Sequence, residues 1–253
     1  MPSADEPSAD GPSAEDKDGE GGDGRGGDGR GGDGHHADGE GADGERVIAA
    51  YVALVRAYHA TLDLVSERGL EAFDRHVADA RVYARTIRGL AGPAPTVVDV
   101  GSGVGLPGIV IAALLPDARV VLVERRRRRT AFLELAVGKL GLARTEVFGG
   151  DVRELAGVCA DVITAQAVAG LADLVHLTRH LHADPCYLVS RRGPDWRREV
   201  PGVWVALGAG RGEDATPAVG RPARAEVVVE PLEHRGSLVA LRLPGGSACP
   251  SSG

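Results

Sequence analysis

The chain has 253 residues, with 36 acidic against 29 basic side chains and a net charge of −7. That length allows one α/β domain with extensions or two small domains. It contains no run of about 18 apolar residues and no basic stretch leading into an apolar one, which argues against a bilayer span and a secretion signal, so a cytoplasmic protein with no membrane partner is expected.

Charge is unevenly distributed. Residues 1–46 are rich in Gly, Asp, Glu, Ser and Pro and hold 14 acidic against 4 basic side chains, the composition of a disordered acidic tail. The remainder carries 22 acidic against 25 basic residues, which permits nucleic acid as a partner without demanding it. His35 and His36 in the tail read as solvated polar residues, and no metal is expected. Cys159, Cys186 and Cys249 are odd in number and far apart without a C-x-x-C, so they are expected as reduced thiols, the first two buried.

A helical preface follows over residues 47–90. Val47, Tyr51, Leu54, Val55, Tyr58 and Leu62 recur at three and four, one face of an amphipathic helix. Gly69 is expected to break it, and a second helix to run from Leu70 to about Ile87. His76 and Asp79 share a face of that second helix, three residues apart.

Residues 91–245 are predicted to form the main domain, organised around Thr96 to Leu133. Thr96 to Val100 is a β-branched run suited to a strand buried on both faces. It ends beside Asp99, then Gly101, Gly103 and Gly105, and a helix is predicted from Leu106 to Leu115. Arg119 to Val123 is the second strand, closed by Glu124. An acid there, about 20 residues after a glycine loop, is placed to accept hydrogen bonds from both ribose hydroxyls of an adenosine-containing cofactor. Gly103, Gly105 and Gly108 satisfy the weak G-x-G-x-x-G dinucleotide pattern, but Asp99 directly before the loop would repel a pyrophosphate. D-x-G-x-G-x-G is the form usual in S-adenosylmethionine-dependent methyltransferases, where the acid can hold loop amides or face the methionine ammonium. S-adenosyl-L-methionine is therefore the expected cofactor, with Asp99, Gly101, Gly103, Gly105, Leu106 and Glu124 in its site.

The βα alternation continues. Arg127 to Leu140 reads as a helix stopped by Gly141, Thr145 to Phe148 as the third strand, and Asp151, Val152 and Arg153 as residues placed to meet the adenine. Asp161 to Ala165 is the fourth strand; Ala165-Gln166-Ala167 follows where the methyl group should emerge. A helix over Leu171 to Leu181, a fifth strand over Cys186 to Ser190, a loop from Gly208 to Arg224 and a hairpin of Ala225 to Glu230 with Leu238 to Leu243 complete the chain. Residues 246–253 read as a polar tail. The fold class expected is α/β: a doubly wound, mostly parallel seven-stranded sheet of the class I methyltransferase type with a helical N-terminal preface.

Over about residues 51–243 the chain resembles the bacterial 16S ribosomal RNA guanine-N7 methyltransferases, the glucose-inhibited division protein B family. DVGSGVGLPGIVIA, Asp99 to Ala112, carries the strongest likeness, because G-x-G-x-G-L-P-G is more specific than a general glycine loop. Arg75-His76 with Asp79 resembles the family's R-H-x-x-D signature, and Phe132-Leu133 after a basic run also fits. The resemblance implies methylation of a guanine near the decoding centre of 16S rRNA. The small ribosomal subunit or its RNA is then the partner, and a monomer is expected.

The substrate side departs from the family. Ala165-Gln166-Ala167 stands where S-R-A is usual, and Arg192-Gly193 where K-G is usual. Tyr58-His59 and Asp63 replace W-N and Asn, and Asp151-Val152-Arg153-Glu154 replaces an R-x-E run. Guanine N7 has an exposed lone pair, so no catalytic proton transfer is expected; Gln166, Arg192, His76 and Asp79 are candidates for positioning. Arg125 to Arg129 with Arg191, Arg192, Arg197 and Arg198 are candidate phosphate contacts. Two alternatives remain: a methyltransferase acting on a small molecule, and a non-catalytic cofactor-binding protein associated with the ribosome.

Overall fold

Five apolar, β-branched runs align side by side because strands buried on both faces can satisfy their amides only with one another. The computed structural model describes residues 34–166, 169–206, 227–232, 236–246 and 249. In it β1 (Thr96–Val100), β2 (Arg119–Val123), β3 (Thr145–Phe148), β4 (Ala160–Ala165) and β5 (His182–Arg192) are parallel, while β6 (Val227–Pro231) and β7 (Ser237–Leu243) form an antiparallel hairpin. The order is β3-β2-β1-β4-β5-β7-β6, so β1 is central and β7 joins the hairpin to β5. This is the doubly wound, seven-stranded sheet expected from the sequence.

Alternate residues of each strand feed two cores, as the period of two requires. Val97, Val120, Leu122 and Val162 face α1 (Gly34–Leu62), α3 (Phe73–Ala91), α4 (Gly108–Leu114) and α5 (Arg127–Leu140). Val98, Val121, Ile163 and Leu188 face α6 (Leu171–Thr178), α7 (Val200–Ala206) and the short turn at Trp196. The preface helices therefore cover one face of the sheet, with α1 and α3 both packed on α4.

Several elements differ from the sequence reading. Helix α1 begins at Gly34, well before the boundary placed at residue 46. The reason is tertiary. Gly44 is buried so closely on α4 that an added Cβ would stand 2.6 Å from the Ala113 carbonyl oxygen, and Glu45 accepts a hydrogen bond from Arg81 Nε at 2.9 Å. Gly69 does not break the preface. The break falls at Asp63, whose φ is 52°, and Gly69 lies inside a short helix, α2 (Glu67–Glu71), where its amide donates to the capping hydroxyl of Ser66. Strand β5 extends to Arg192, and α7 occupies a stretch for which no helix was expected. The predicted loop 208–224 lies outside the described residues.

The cysteine expectation is corrected in two of three places. Cys159 and Cys249 are joined in a disulfide, Cys159 being exposed where burial was expected, and Cys186 is a buried free thiol. Pairing across 90 residues arises because the Gly246 amide donates to the His182 carbonyl at 2.8 Å, turning the C-terminal segment back across the start of β5 towards Cys159. Residue 249 is thus fastened to the domain, whereas the sequence placed it in a polar tail.

Candidate active site

The glycine loop at the end of β1 requires its glycines. Gly101, Gly103 and Gly105 have φ of 70°, 61° and 109°, a region side chains disfavour. The amides of Gly101 and Ser102 both donate to the Val123 carbonyl, at 2.9 and 3.0 Å, which seats the loop on the end of β2. A Cβ on Gly103 would meet nothing nearer than 3.9 Å, so that glycine borders open space.

Asp99 lies beneath this loop rather than in it. Its side chain is 1% exposed, with Oδ1 accepting from Thr164 Oγ1 at 2.8 Å and Oδ2 from the Gly108 amide at 3.2 Å. Where the sequence offered loop amides or the methionine ammonium as its partner, the carboxylate holds one backbone amide, that of Gly108 at the start of α4, and the Thr164 hydroxyl. Burial pushes its carboxyl up to about 6, against the opposing hydrogen bonds from its donors.

Glu124 is 7% exposed and bridges two elements: Oε2 accepts from the Gly103 amide at 3.0 Å and Oε1 from the Arg126 amide at 2.8 Å. A carboxylate has about four lone-pair sites, so these contacts leave capacity for hydroxyl donors. Asp151 caps the turn Val152–Glu154 through the Arg153 amide at 3.0 Å. The Arg153 guanidinium on the same carboxylate, with Arg125 at 3.5 Å, holds it well below the usual carboxylate range.

A cavity of about 830 Å³ adjoins the loop. Gly101, Gly103 and Leu106 of the loop line it together with His76, Gln166 and Arg192. The sequence-predicted residues thus divide into two groups. Glu124, Asp151, Val152 and Arg153 do not line this cavity; neither does Asp99. Asp79 is also outside it, 2% exposed and 3.5 Å from the Arg191 guanidinium. Ala167 is outside the described residues. The loop, the acid bridging it and the adjoining space fit a nucleoside-bearing methyl donor.

The arginines expected as phosphate contacts are not alike. Arg125 to Arg128 are exposed around the start of α5, and Arg129 reaches the cavity wall. Arg197 lies over the Trp196 ring at 4.6 Å and Arg198 is an exposed partner of Asp195. Arg191 is held by Asp79, and its amide donates to Tyr83 Oη at 2.7 Å. Arg192 Nη1 donates to the Ala169 carbonyl at 2.8 Å and sits 3.5 Å from Glu199. Its Nε and Nη2 are buried without a hydrogen-bond partner among the described residues, and burial lowers its pKa.

Sequence reasoning missed Tyr51, and it did not set Arg129 apart from the other arginines of its run. The Tyr51 hydroxyl donates to the Val104 carbonyl at 3.0 Å, inside the glycine loop. Nothing in the sequence separates this tyrosine from the apolar face on which it recurs. Among the described residues no helix is long and apolar enough to cross a membrane, and no three His, Cys, Asp or Glu gather as metal ligands.

Residues 45–202 match the family described as rRNA small subunit methyltransferase G. The chain belongs to that family. Among members of the methyltransferase G family, the protein of Neisseria meningitidis serogroup C (strain 053442) is 39% identical over 147 residues, 58% of this chain and 69% of the relative. That of Halorhodospira halophila is 32% identical over 182 residues, 72% of this chain and 85% of the relative. A solved methyltransferase from Geobacter sulfurreducens shares the fold, with a TM-score of 0.52 at 20% identity, covering 78% of this chain and 90% of that one. As a member of the methyltransferase G family, this chain has S-adenosylmethionine as its cofactor.

Proposed function

We propose that this protein transfers a methyl group from S-adenosylmethionine to N7 of a guanine in 16S rRNA, acting as a monomer on the small ribosomal subunit in the cytoplasm. The observation carrying the reading is the cavity that runs from the glycine loop to Gln166 and the arginine-bearing end of β5, in a chain of the methyltransferase G family.

S-adenosylmethionine supplies an electrophilic methyl group. Gly101, Gly103, Gly105 and Leu106 would hold it, Glu124 would accept hydrogen bonds from its ribose hydroxyls through the lone pairs its amide contacts leave, and Asp151, Val152 and Arg153 would border its adenine. Asp99 contributes from below, by fixing the first amide of α4. Guanine N7 has no proton to remove, so the chain's remaining work is alignment and the exclusion of water. Gln166 and His76 line the space for the base, Asp79 acts through Arg191, and Arg192 adds a cation to its lining. Arg125 to Arg129 with Arg197 and Arg198 hold RNA phosphates. Their contribution is electrostatic and weakens with salt. In the proposed division, the preface begins with α1 and runs to residue 90, and residues 91–245 carry the cofactor domain.

A second reading rests on Gln166. A neutral amide where the family usually carries arginine suits a small-molecule substrate better than a phosphate backbone. Incubating labelled S-adenosylmethionine with small subunits from cells lacking this gene separates the two. Label should enter 16S rRNA, and borohydride and aniline treatment should cleave the product at one guanine. No label in 16S rRNA, alongside transfer to a small metabolite when an extract of the same cells replaces the subunits, would replace the first reading by the second.

A further inference from the structure

Two buried tyrosines, one on each long preface helix, are hydrogen-bonded to the backbone of residues that line the cavity, Val104 and Arg191. Tyr51 of α1 is fully buried, its ring tilted against Phe73 at 5.7 Å between centroids, and its hydroxyl donates to the Val104 carbonyl across 53 residues of sequence. The acceptor lies between Gly103 and Gly105, both of positive φ. Tyr83 of α3 is 1% exposed and accepts the Arg191 amide across 108 residues.

Each bond meets a backbone group at a point where the neighbouring parallel strand supplies no partner. Val104 is past the end of β1, in a loop otherwise seated through Gly101 and Ser102 on Val123 and through the Gly103 amide on Glu124. Arg191 is one residue beyond the last β4–β5 pair, Ala165 with Ser190. A buried backbone group left unpaired costs free energy, so the hydroxyl at each position selects one placement of the chain. Phe73, which Tyr51 touches, also lines the cavity, so α1 reaches the site by a packed ring as well as by a hydrogen bond.

We infer that Tyr51 and Tyr83 are positioning residues with separate tasks: Tyr51 sets the glycine loop for the methyl donor, and Tyr83, with Asp79, sets the Arg191-Arg192 wall for the RNA. The preface is then a frame that adjusts the two halves of the site independently. The Tyr51 half rests on cofactor use alone; the Tyr83 half rests on the proposed RNA substrate.

The test uses the full chain with Tyr51→Phe and Tyr83→Phe, which keep both rings and remove only the hydroxyls. Calorimetry with S-adenosylmethionine gives the cofactor Kd, and methyl transfer to small subunits from cells lacking this gene gives KM for the RNA. Tyr51→Phe should raise the cofactor Kd about three- to tenfold and leave the RNA KM within about twofold; Tyr83→Phe should do the reverse. A purely structural role would move both constants in both variants, and that outcome overturns the inference. So does a Tyr51→Phe protein that binds cofactor like the parent. Amide hydrogen exchange gives a readout free of RNA: faster exchange confined to 101–106 in the first variant and to 190–193 in the second. Uniform acceleration in either variant also refutes it. Asp79→Asn, which keeps the shape and drops the charge facing Arg191, should reproduce the RNA defect of Tyr83→Phe with the cofactor Kd unchanged. If the parent methylates no RNA while its cofactor Kd responds to Tyr51→Phe, the substrate reading fails and the loop assignment stands.

Discussion

Asp99→Asn tests the electrostatics beneath the glycine loop. The parent carboxyl is 1% exposed and raised to about 6, against an ordinary value near 3.8. Because the folded state holds the proton more tightly, this group stabilises the fold fully below the unfolded value. That contribution is lost as pH rises through about 6. A rise of this size corresponds to roughly 3 kcal/mol over the whole window, and between pH 8 and pH 4.5 about 2 kcal/mol of it should be recovered. Asparagine keeps the shape, can accept from the Gly108 amide and donate to Thr164, and does not titrate. Urea unfolding of parent and variant should therefore give stabilities that run parallel above pH 7 and diverge by about 2 kcal/mol in favour of the parent by pH 4.5. Other titrating groups cancel in the difference. Curves that remain parallel across that range would mean the carboxyl is not desolvated, and the picture of Asp99 as a buried brace would be wrong.

Glu124→Ala removes the acceptor for the Gly103 and Arg126 amides as well as any ribose contact; calorimetry should show cofactor affinity at least about tenfold weaker, by roughly 1.5–3 kcal/mol. Unchanged affinity would detach Glu124 from the site. Gly108→Ala places a Cβ against Leu122 Cδ2 and 2.8 Å from Asp99 Oδ2, and overpacking of this kind should cost about 1–3 kcal/mol in thermal unfolding. A variant as stable as the parent would show that α4 can move away from β1 at little cost. The Glu45–Arg81 pair is partly exposed, at 50% and 38%, so a double-mutant cycle should give a coupling below about 1 kcal/mol. A coupling of several kcal/mol would make the start of α1 a principal anchor.

What was legible in the sequence was local. Thr96 to Val100 and Arg119 to Val123 carry their strand signal in five consecutive residues, and both bounds agree with the structure. The glycine loop and Gly141, which ends α5 in the left-handed region, are likewise read from residue type. Contacts that depend on distant residues were not legible. Tyr51 gave the signal of a core residue, and its hydroxyl's partner is set by how α1 crosses α4. Composition misled at the start of α1: a glycine among aspartates looks like tail, yet Gly44 is where the missing side chain lets two helices touch. Pro201 and Gly202 similarly concealed α7, although proline is tolerated in a first helical turn. In the site, residue types pointed to the cofactor, but whether an arginine faces solvent or an internal carboxylate depended on β5 running to Arg192 beneath α3.

The position of β7 has a consequence for synthesis. It follows the other six described strands in the sequence, yet it lies inside the sheet between β5 and β6. A growing chain can assemble β1 to β5 with the glycine loop as soon as residue 192 is available. Until residues 237–243 follow, β5 keeps an open edge and β6 has no strand to join. Arg191 and Arg192 pair with Leu238 and Ser237, so the arginine wall is completed only when those two residues have been made. The donor loop therefore matures before the wall facing it. A nascent chain released before residue 237 would carry the first without the second, with an unpaired strand edge exposed to other chains.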